Sequence, residues 1–368
     1  MMATTRPDVS RLLRRDLTEL AAYAAPEPLD EFARRLGIQP ADVAKLDQNE
    51  NPYGCSPKVQ AALANYSWYH VYPDPEHRVL RDRIADYAGV PPEHIVVGNG
   101  SDELLELTLR LFVEPGDRVL SASPTFGFYS TVAFYAGAEY VTVPRGPTFE
   151  VDVDVTRKGI DGRTKVVLVA SPNNPTGNLT GRETIAALLE LGLIVVVDEA
   201  YYEFAGQTAV DWFRERQPEN LIVLRTFSKW AGLAGLRLGY GIYPARIAEL
   251  LRAYKPPYSV GQAAEVAGLA SLDDVDYLKS TVQRIVSERA RLSTALTETG
   301  LFRPYPSEAN FVFADVVGRP PVEVQRHLAE RAILVRRYVG PRLDQSLRIS
   351  VGRPEHTDRL LTALGELR

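Results

Sequence analysis

Leu193-Ile-Val-Val-Val197-Asp198-Glu199-Ala200-Tyr201 is the stretch on which the fold turns. Its five leading residues are all apolar and four are β-branched, so they predict a strand covered on both faces; a strand with one wet face would alternate apolar and polar positions. Such strands belong to parallel sheets flanked by crossover helices, which bind ligands at their carboxyl edge. The polar end of the stretch, from Asp198 to Tyr201, falls at that edge.

Outward from it, apolar runs at 95–97, 118–121, 139–143, 166–170, 221–225 and 238–242 alternate with longer amphipathic stretches. The pattern predicts an α/β fold with a large, seven-stranded, mostly parallel sheet covered by helices. After about Tyr254 it changes to a long helix over 274–299 and isolated strands at 311–314 and 347–351, which predicts a smaller α+β domain. The expected division is an N-terminal arm (1–45) packing on the small domain or a partner subunit, a large domain (46–255) and a small C-terminal domain (256–368).

At about 150 residues per domain, 368 residues agree with two or three domains. With 45% hydrophobic and 24% charged residues, extended disorder, coiled coil and collagen-like repeats are excluded. A net charge of −5 gives no electrostatic footprint for nucleic acid or an anionic membrane, so small molecules and other protein chains are the expected partners. Cys55 is the single cysteine; it forms no intrachain disulfide or cysteine-based zinc site and points to a reducing compartment. Arg6, Arg11, Arg14 and Arg15 are interrupted by Asp8, Asp16 and Glu19 with no apolar signal core behind them. No apolar run approaches the roughly 20 residues that span a bilayer, and a cytoplasmic location is expected. His70, His77, His94, His327 and His356 lack metal-ligand spacing, so no metal is expected.

Four strand ends carry chemistry. Arg225-Thr226-Phe227-Ser228-Lys229 runs into a glycine-rich apolar turn ending at Arg237; a lysine there is desolvated, which lowers its pKa and frees a nucleophilic amine. Asp198 supplies a carboxylate whose desolvation calls for a cation. Ser171-Pro172-Asn173-Asn174-Pro175-Thr176-Gly177 supplies an amide in a turn. Gly98-Asn99-Gly100-Ser101-Asp102-Glu103 opens a helix whose free amides, with the Ser101 hydroxyl, make an anion nest, provided the two carboxylates turn away from it. It is not a dinucleotide fingerprint, because Glu103 stands in place of the third glycine. The first three have plain structural alternatives: a surface lysine, a helix-capping aspartate, a simple turn.

Together, amine, carboxylate, amide and nest complement pyridoxal 5'-phosphate. With these residues, and with Leu46–Gly54, Tyr72–Pro75, Pro124–Tyr129, Lys255–Tyr258, Pro306–Asn310 and Leu347–Arg353, the chain resembles the fold-type I, class I/II aminotransferases over about residues 11–367, and most of all the histidinol-phosphate aminotransferase branch.

The resemblance implies pyridoxal 5'-phosphate as cofactor, held covalently by Lys229, which also shuttles a proton to and from the substrate's Cα. Asp198 is implied to pair with the ring nitrogen, Asn174 and Tyr201 to hydrogen-bond the phenolic oxygen, and Phe126 to stack on the ring. Ser101, Asp102, Thr226, Ser228 and Arg237 are implied to hold the phosphate, with Tyr72 reaching it from the other subunit of a homodimer. Tyr23, Asn51, Tyr258, Arg336 and Arg348 are the implied substrate residues, the arginines for carboxylate or phosphate. The two arginines could instead be exposed ion-pairing residues, and the tyrosines core or interface anchors. The implied reaction exchanges an amino group between L-histidinol phosphate with 2-oxoglutarate and imidazole acetol phosphate with L-glutamate. An aromatic amino-acid aminotransferase, a threonine-phosphate decarboxylase and a non-catalytic cofactor-binding protein are the alternatives. Ser259, where asparagine is usual, and Cys55, where proline is usual, depart from the pattern.

Overall fold

The computed structural model describes Leu12 and residues 27–367. Among the described residues, twelve strands form two sheets. In chain order they are β1 (Ala44–Leu46), β2 (Ile95–Gly98), β3 (Arg118–Ser123), β4 (Glu139–Pro144), β5 (Thr164–Ala170) and β6 (Ile194–Asp198), then β7 (Leu221–Thr226), β8 (Gly239–Ile242), β9 (Phe302–Pro304), β10 (Phe311–Val316), β11 (Ile333–Arg337) and β12 (Ser346–Ser350).

The larger sheet has the order β2-β8-β7-β6-β5-β3-β4. All its neighbours run parallel except β8, which is antiparallel to both β2 and β7. The seven strands expected from the apolar runs are these, and the physical reason is visible in β6: Val195 and Val197 enter the core on one face, while Val196 enters the core on the other. Ile222 and Leu224 of β7 alternate with Leu221 and Val223 in the same way. Side chains of period two thus fill two separate cores, and polar residues appear only at the carboxyl ends of these strands, at Asp198, Arg225 and Thr226.

The smaller sheet has the order β1-β11-β12-β10-β9. β1 lies parallel to β11, pairing Ala44 with Ile333, so the chain enters through this sheet before it reaches the larger one. The Val275–Glu298 helix buries Leu278, Val282, Ile285, Leu292 and Leu296, one face at helical spacing. β10 and β12 match the runs at 311–314 and 347–351; β1, β9 and β11 were not expected. No helix among the described residues is long and apolar enough to cross a membrane.

Candidate active site

The loops after β2, β3, β5, β6 and β7, together with residues 47–49 and the ends of β11 and β12, enclose a cavity of about 470 Å³. Ser101, Asp102, Phe126, Asn174, Asp198, Tyr201, Thr226, Ser228, Lys229, Arg237, Arg336 and Arg348 all line it. It lies at the carboxyl edge because that is where parallel strands end together and their loops splay apart.

Asp198 and Glu199 leave β6 in opposite directions, as strand geometry requires. Glu199 pairs with Arg225 in the core at 2.9 Å, which leaves Asp198 as the carboxylate facing the cavity. Burial disfavours its charged form and pushes its pKa up to about 6; a hydrogen bond from Tyr129 Oη to Oδ2 (3.1 Å) works against the rise, and the neighbouring charge of Asp102 adds to it. A cation opposite Asp198 would remove that penalty.

Lys229 shows the converse. Burial brings its pKa down to about 8, with repulsion from Arg348 next, partly opposed by Glu50 and Asp102. Its Nζ donates to the Gln48 carbonyl at 3.3 Å and lies 5.9 Å from the centre of the Tyr201 ring. A primary amine held in this way is available as nucleophile and as base near neutral pH.

The nest forms with one of its two carboxylates turned away, Glu103, while Asp102 stays at the cavity. Gly100 takes φ +78° and starts the Gly100–Phe112 helix. Glu103 turns back, accepting from the Asn99 amide (2.6 Å) and the Ser259 hydroxyl (3.0 Å), so its charge faces away from the free amides. Asp102 accepts from Arg237 Nη2 at 2.9 Å. Arg237 Nη1 donates to Ser228 Oγ (3.3 Å), which also accepts from Thr226 Oγ1 (2.9 Å). Amides, two hydroxyls and a guanidinium thus converge where a phosphate group fits. β8 packs directly beneath: a Cβ on Gly239 would stand 2.4 Å from the Ser101 nitrogen.

Across the cavity, Arg348 Nη1 donates to Asn174 Oδ1 at 2.7 Å and Nη2 donates to the Asp47 carbonyl at 2.5 Å; its Nε is buried without a hydrogen-bond partner among the described residues. A guanidinium only donates, so it forces the Asn174 oxygen toward itself and the amide's NH₂ toward the cavity. Tyr338 Oη also donates to Asn174 Oδ1, at 3.3 Å. Tyr201 Oη accepts from Asn49 Nδ2 (3.0 Å), which leaves its own proton to donate elsewhere. Burial pushes Tyr201 up to about 12, so it remains a phenol. The site therefore offers two neutral donors beside the amine and the carboxylate, a set that fits a phosphorylated pyridine aldehyde bearing a phenolic oxygen.

Not every candidate joins the cavity. Asn51 does not: its Nδ2 donates to the Trp230 carbonyl (2.8 Å) and its Oδ1 accepts from the Tyr53 amide (2.9 Å), so the side chain is used up in bracing the turn after Lys229. The expected role for Asn51 is corrected accordingly, and Asn49 stands in the cavity in its place. Tyr72 and Tyr258 do not line the cavity of their own chain; their rings lie 4.6 Å apart on the surface, with Tyr72 78% exposed. Tyr23 lies outside the described residues. Ser259 is tied to Glu103 and to Lys255 Nζ (2.8 Å), away from the cavity, and Cys55 packs half-buried against the core. Asn49, Tyr129 and Tyr338 were missed as site residues, although the first two fall within quoted motifs.

The family described as Aminotransferase class I and II matches residues 41–364. Histidinol-phosphate aminotransferase of Dehalococcoides mccartyi strain CBDB1 is 44% identical over 98% of this chain and 99% of its own. The enzyme of the same name from Roseiflexus castenholzii is 46% identical over the same shares. The crystal structure of histidinol-phosphate aminotransferase from Sinorhizobium meliloti in complex with pyridoxal-5'-phosphate superposes with a TM-score of 0.83 at 27% identity, covering 94% of this chain and 98% of that one.

Proposed function

The chain belongs to the class I and II aminotransferases, and from that membership we propose that it exchanges an amino group between L-histidinol phosphate with 2-oxoglutarate and imidazole acetol phosphate with L-glutamate, a step of histidine biosynthesis. Its cofactor is pyridoxal 5'-phosphate. The observation that carries this reading is the single cavity holding Lys229, Asp198 and the anion nest on one side and Arg336 and Arg348 on the other. Two relatives above 40% identity over nearly their whole length bear the name of this activity, which supports the choice of substrate.

When bound, the cofactor supplies an aldehyde carbon for the amino group and a ring that draws off electrons from the substrate's Cα. Lys229 Nζ would hold the cofactor through that carbon and, once freed, would be the base that takes the proton from the substrate's Cα and the acid that returns it to the cofactor's former aldehyde carbon. Asp198 keeps a proton on the ring nitrogen. Asn174 Nδ2 and the Tyr201 hydroxyl donate to the phenolic oxygen and favour its anion, while Phe126 covers the ring. Ser101 and Asp102 backbone amides, the Thr226 and Ser228 hydroxyls and Arg237 hold the phosphate, for which Arg237 exchanges its bond to Asp102. Arg348 and Arg336 receive the carboxylate or phosphate of the substrate, where a planar fork suits both anions.

The active unit is a homodimer in the cytoplasm. Trp68, Tyr69, Val71 and Val79 are exposed around Tyr72, an apolar surface that a second copy would cover. Tyr72, with the Tyr258 ring packed beside it, then reaches the cofactor phosphate of the other subunit. The remaining partners are small molecules: an amino donor and a 2-oxo acid.

A half-reaction comparison tests the substrate. Purified yellow enzyme mixed in turn with L-histidinol phosphate, phenylalanine and threonine phosphate should lose its colour fastest with the first and release no carbon dioxide with the last. Faster bleaching with phenylalanine would replace the substrate and leave the family intact.

A further inference from the structure

The loop that carries Tyr72 and the turn that carries Tyr258 are joined by one buried pair. His77 Nδ1 donates to Glu265 Oε2 across 2.7 Å, and both residues are shielded from solvent, 1% and 7% exposed. The other ring nitrogen, Nε2, is buried with no hydrogen-bond partner among the described residues. The imidazole is therefore held by Glu265 alone, in surroundings where a lost partner is not replaced by water.

From this pair two stiff segments lead outward. Between His77 and Tyr72, Pro73 and Pro75 fix their own φ angles. Asp74 accepts from the Glu76 amide (3.1 Å) and the Arg78 amide (3.0 Å), and its carbonyl accepts from the His77 amide (2.9 Å). His77 itself takes φ +48°, a conformation non-glycine residues seldom adopt without compensation. On the other side, Glu265 lies in the first turn of the Gln262–Leu272 helix, preceded by buried Val260 and by Ser259, which is tied to Lys255 and Glu103. Three residues further along both helices, Gly268 faces Leu80 so closely that a Cβ would stand 3.2 Å from Leu80 Cδ1. The helices are thus docked at successive turns, and the segments leading into them meet again where the Tyr72 and Tyr258 rings lie 4.6 Å apart, tilted by 30°.

We infer that His77 and Glu265 are positioning residues for the active site: they set the place of the Tyr72–Tyr258 arm and through it the affinity of the neighbouring subunit for the cofactor phosphate. The inference rests on the proposed reading that Tyr72 reaches that phosphate. A pair that merely docked two helices would change thermal stability without changing cofactor affinity.

Cofactor-stripped full-length dimer is titrated with pyridoxal 5'-phosphate in Tyr72→Phe, Glu265→Ala, Glu265→Gln and His77→Gly, and in Tyr72→Phe combined with Glu265→Ala. Glycine adopts the left-handed backbone of His77 freely and has no side chain to reach Glu265, so it decides the question should Glu265→Ala not fold. Tyr72→Phe, Glu265→Ala and His77→Gly should each weaken binding roughly tenfold, the effect of a small misplacement of a binding group. Glu265→Gln keeps an acceptor and should bind like wild type. In the double variant Glu265→Ala should cost nothing beyond Tyr72→Phe, because it acts through the lost hydroxyl. Effects that multiply, or a weakened Tyr72→Phe beside unchanged Glu265→Ala and His77→Gly, would overturn the positioning role alone. An unchanged Tyr72→Phe would overturn the shared-site reading and the positioning role with it.

Discussion

Lys229 and Asp198 are displaced in opposite senses by the same burial, and each displacement serves the chemistry. An amine with its pKa brought down to about 8 is uncharged in a substantial fraction of molecules near neutral pH. The rate at which stripped enzyme takes up pyridoxal 5'-phosphate should therefore rise with pH through a midpoint near 8, where Nζ loses its proton, and a flat profile over that range would show that another group limits loading. Asp198 is the more delicate of the two. In the cofactor-free protein its pKa of about 6 lies above the ordinary carboxylate value of 3.8, so the stability it lends is complete below that value and fades as pH rises through about 6. Tyr129 opposes the shift by donating to Oδ2. Replacing Tyr129 with phenylalanine removes that donor and should lower kcat/KM by about fivefold, the equivalent of about 1 kcal/mol for one hydrogen bond, with KM for the oxo acid unchanged.

At the scale of elements, the glycine in β8 does what no other residue could. Gly239 lets the strand lie against the backbone of Gly100 and Ser101, with a would-be Cβ only 2.4–2.5 Å from their atoms. Gly239→Ala should spread the nest from the strand, cost about 1–3 kcal/mol of stability through overpacking, and weaken cofactor binding as well; denaturant unfolding with a cofactor titration checks both. The same scale shows why reading the sequence succeeded where it did. β6 and β7 are apolar at nearly every position because both faces are buried, and such runs stand out. β11 and β1 do not: Ile333–Arg337 ends in two arginines, and Ala44–Leu46 is three residues long, so neither has a period to detect. Lys229, Asp198 and Asn174 were legible because each lies within four residues of the end of such a run. Asn49 and Asn51 are both amides in one polar stretch, and only the packing of Ser350 and Asn310 around Asn49, against Trp230 above Asn51, decides which of them faces the cavity. Tyr129 was hidden for the same reason, since its hydroxyl meets Asp198 from a different helix, 69 residues away in sequence.

Over the whole molecule, the two sheets share the site. Arg348 of β12 and Tyr338, in the segment between β11 and β12, grip Asn174 beyond β5, and Arg342 donates to the carbonyls of Arg145, Gly146 and Pro147. If each cavity is also completed by Tyr72 from a second copy, two crippled chains should rescue one another. Lys229→Ala and Tyr72→Ala, mixed and reassembled, give hybrid dimers with one cavity that has both its own lysine and an intact partner tyrosine. Activity should recover to about a quarter of wild type from random pairing, whereas no recovery would mean that each chain works alone. The proposed chemistry of the cavity depends on Lys229 as the residue that carries the cofactor, and borohydride reduction of the intact yellow enzyme followed by peptide mapping tests it most directly. A pyridoxyl group fixed on the peptide containing Lys229, and none elsewhere, is the expected result; a label on any other lysine, with Lys229 unmodified, would contradict it.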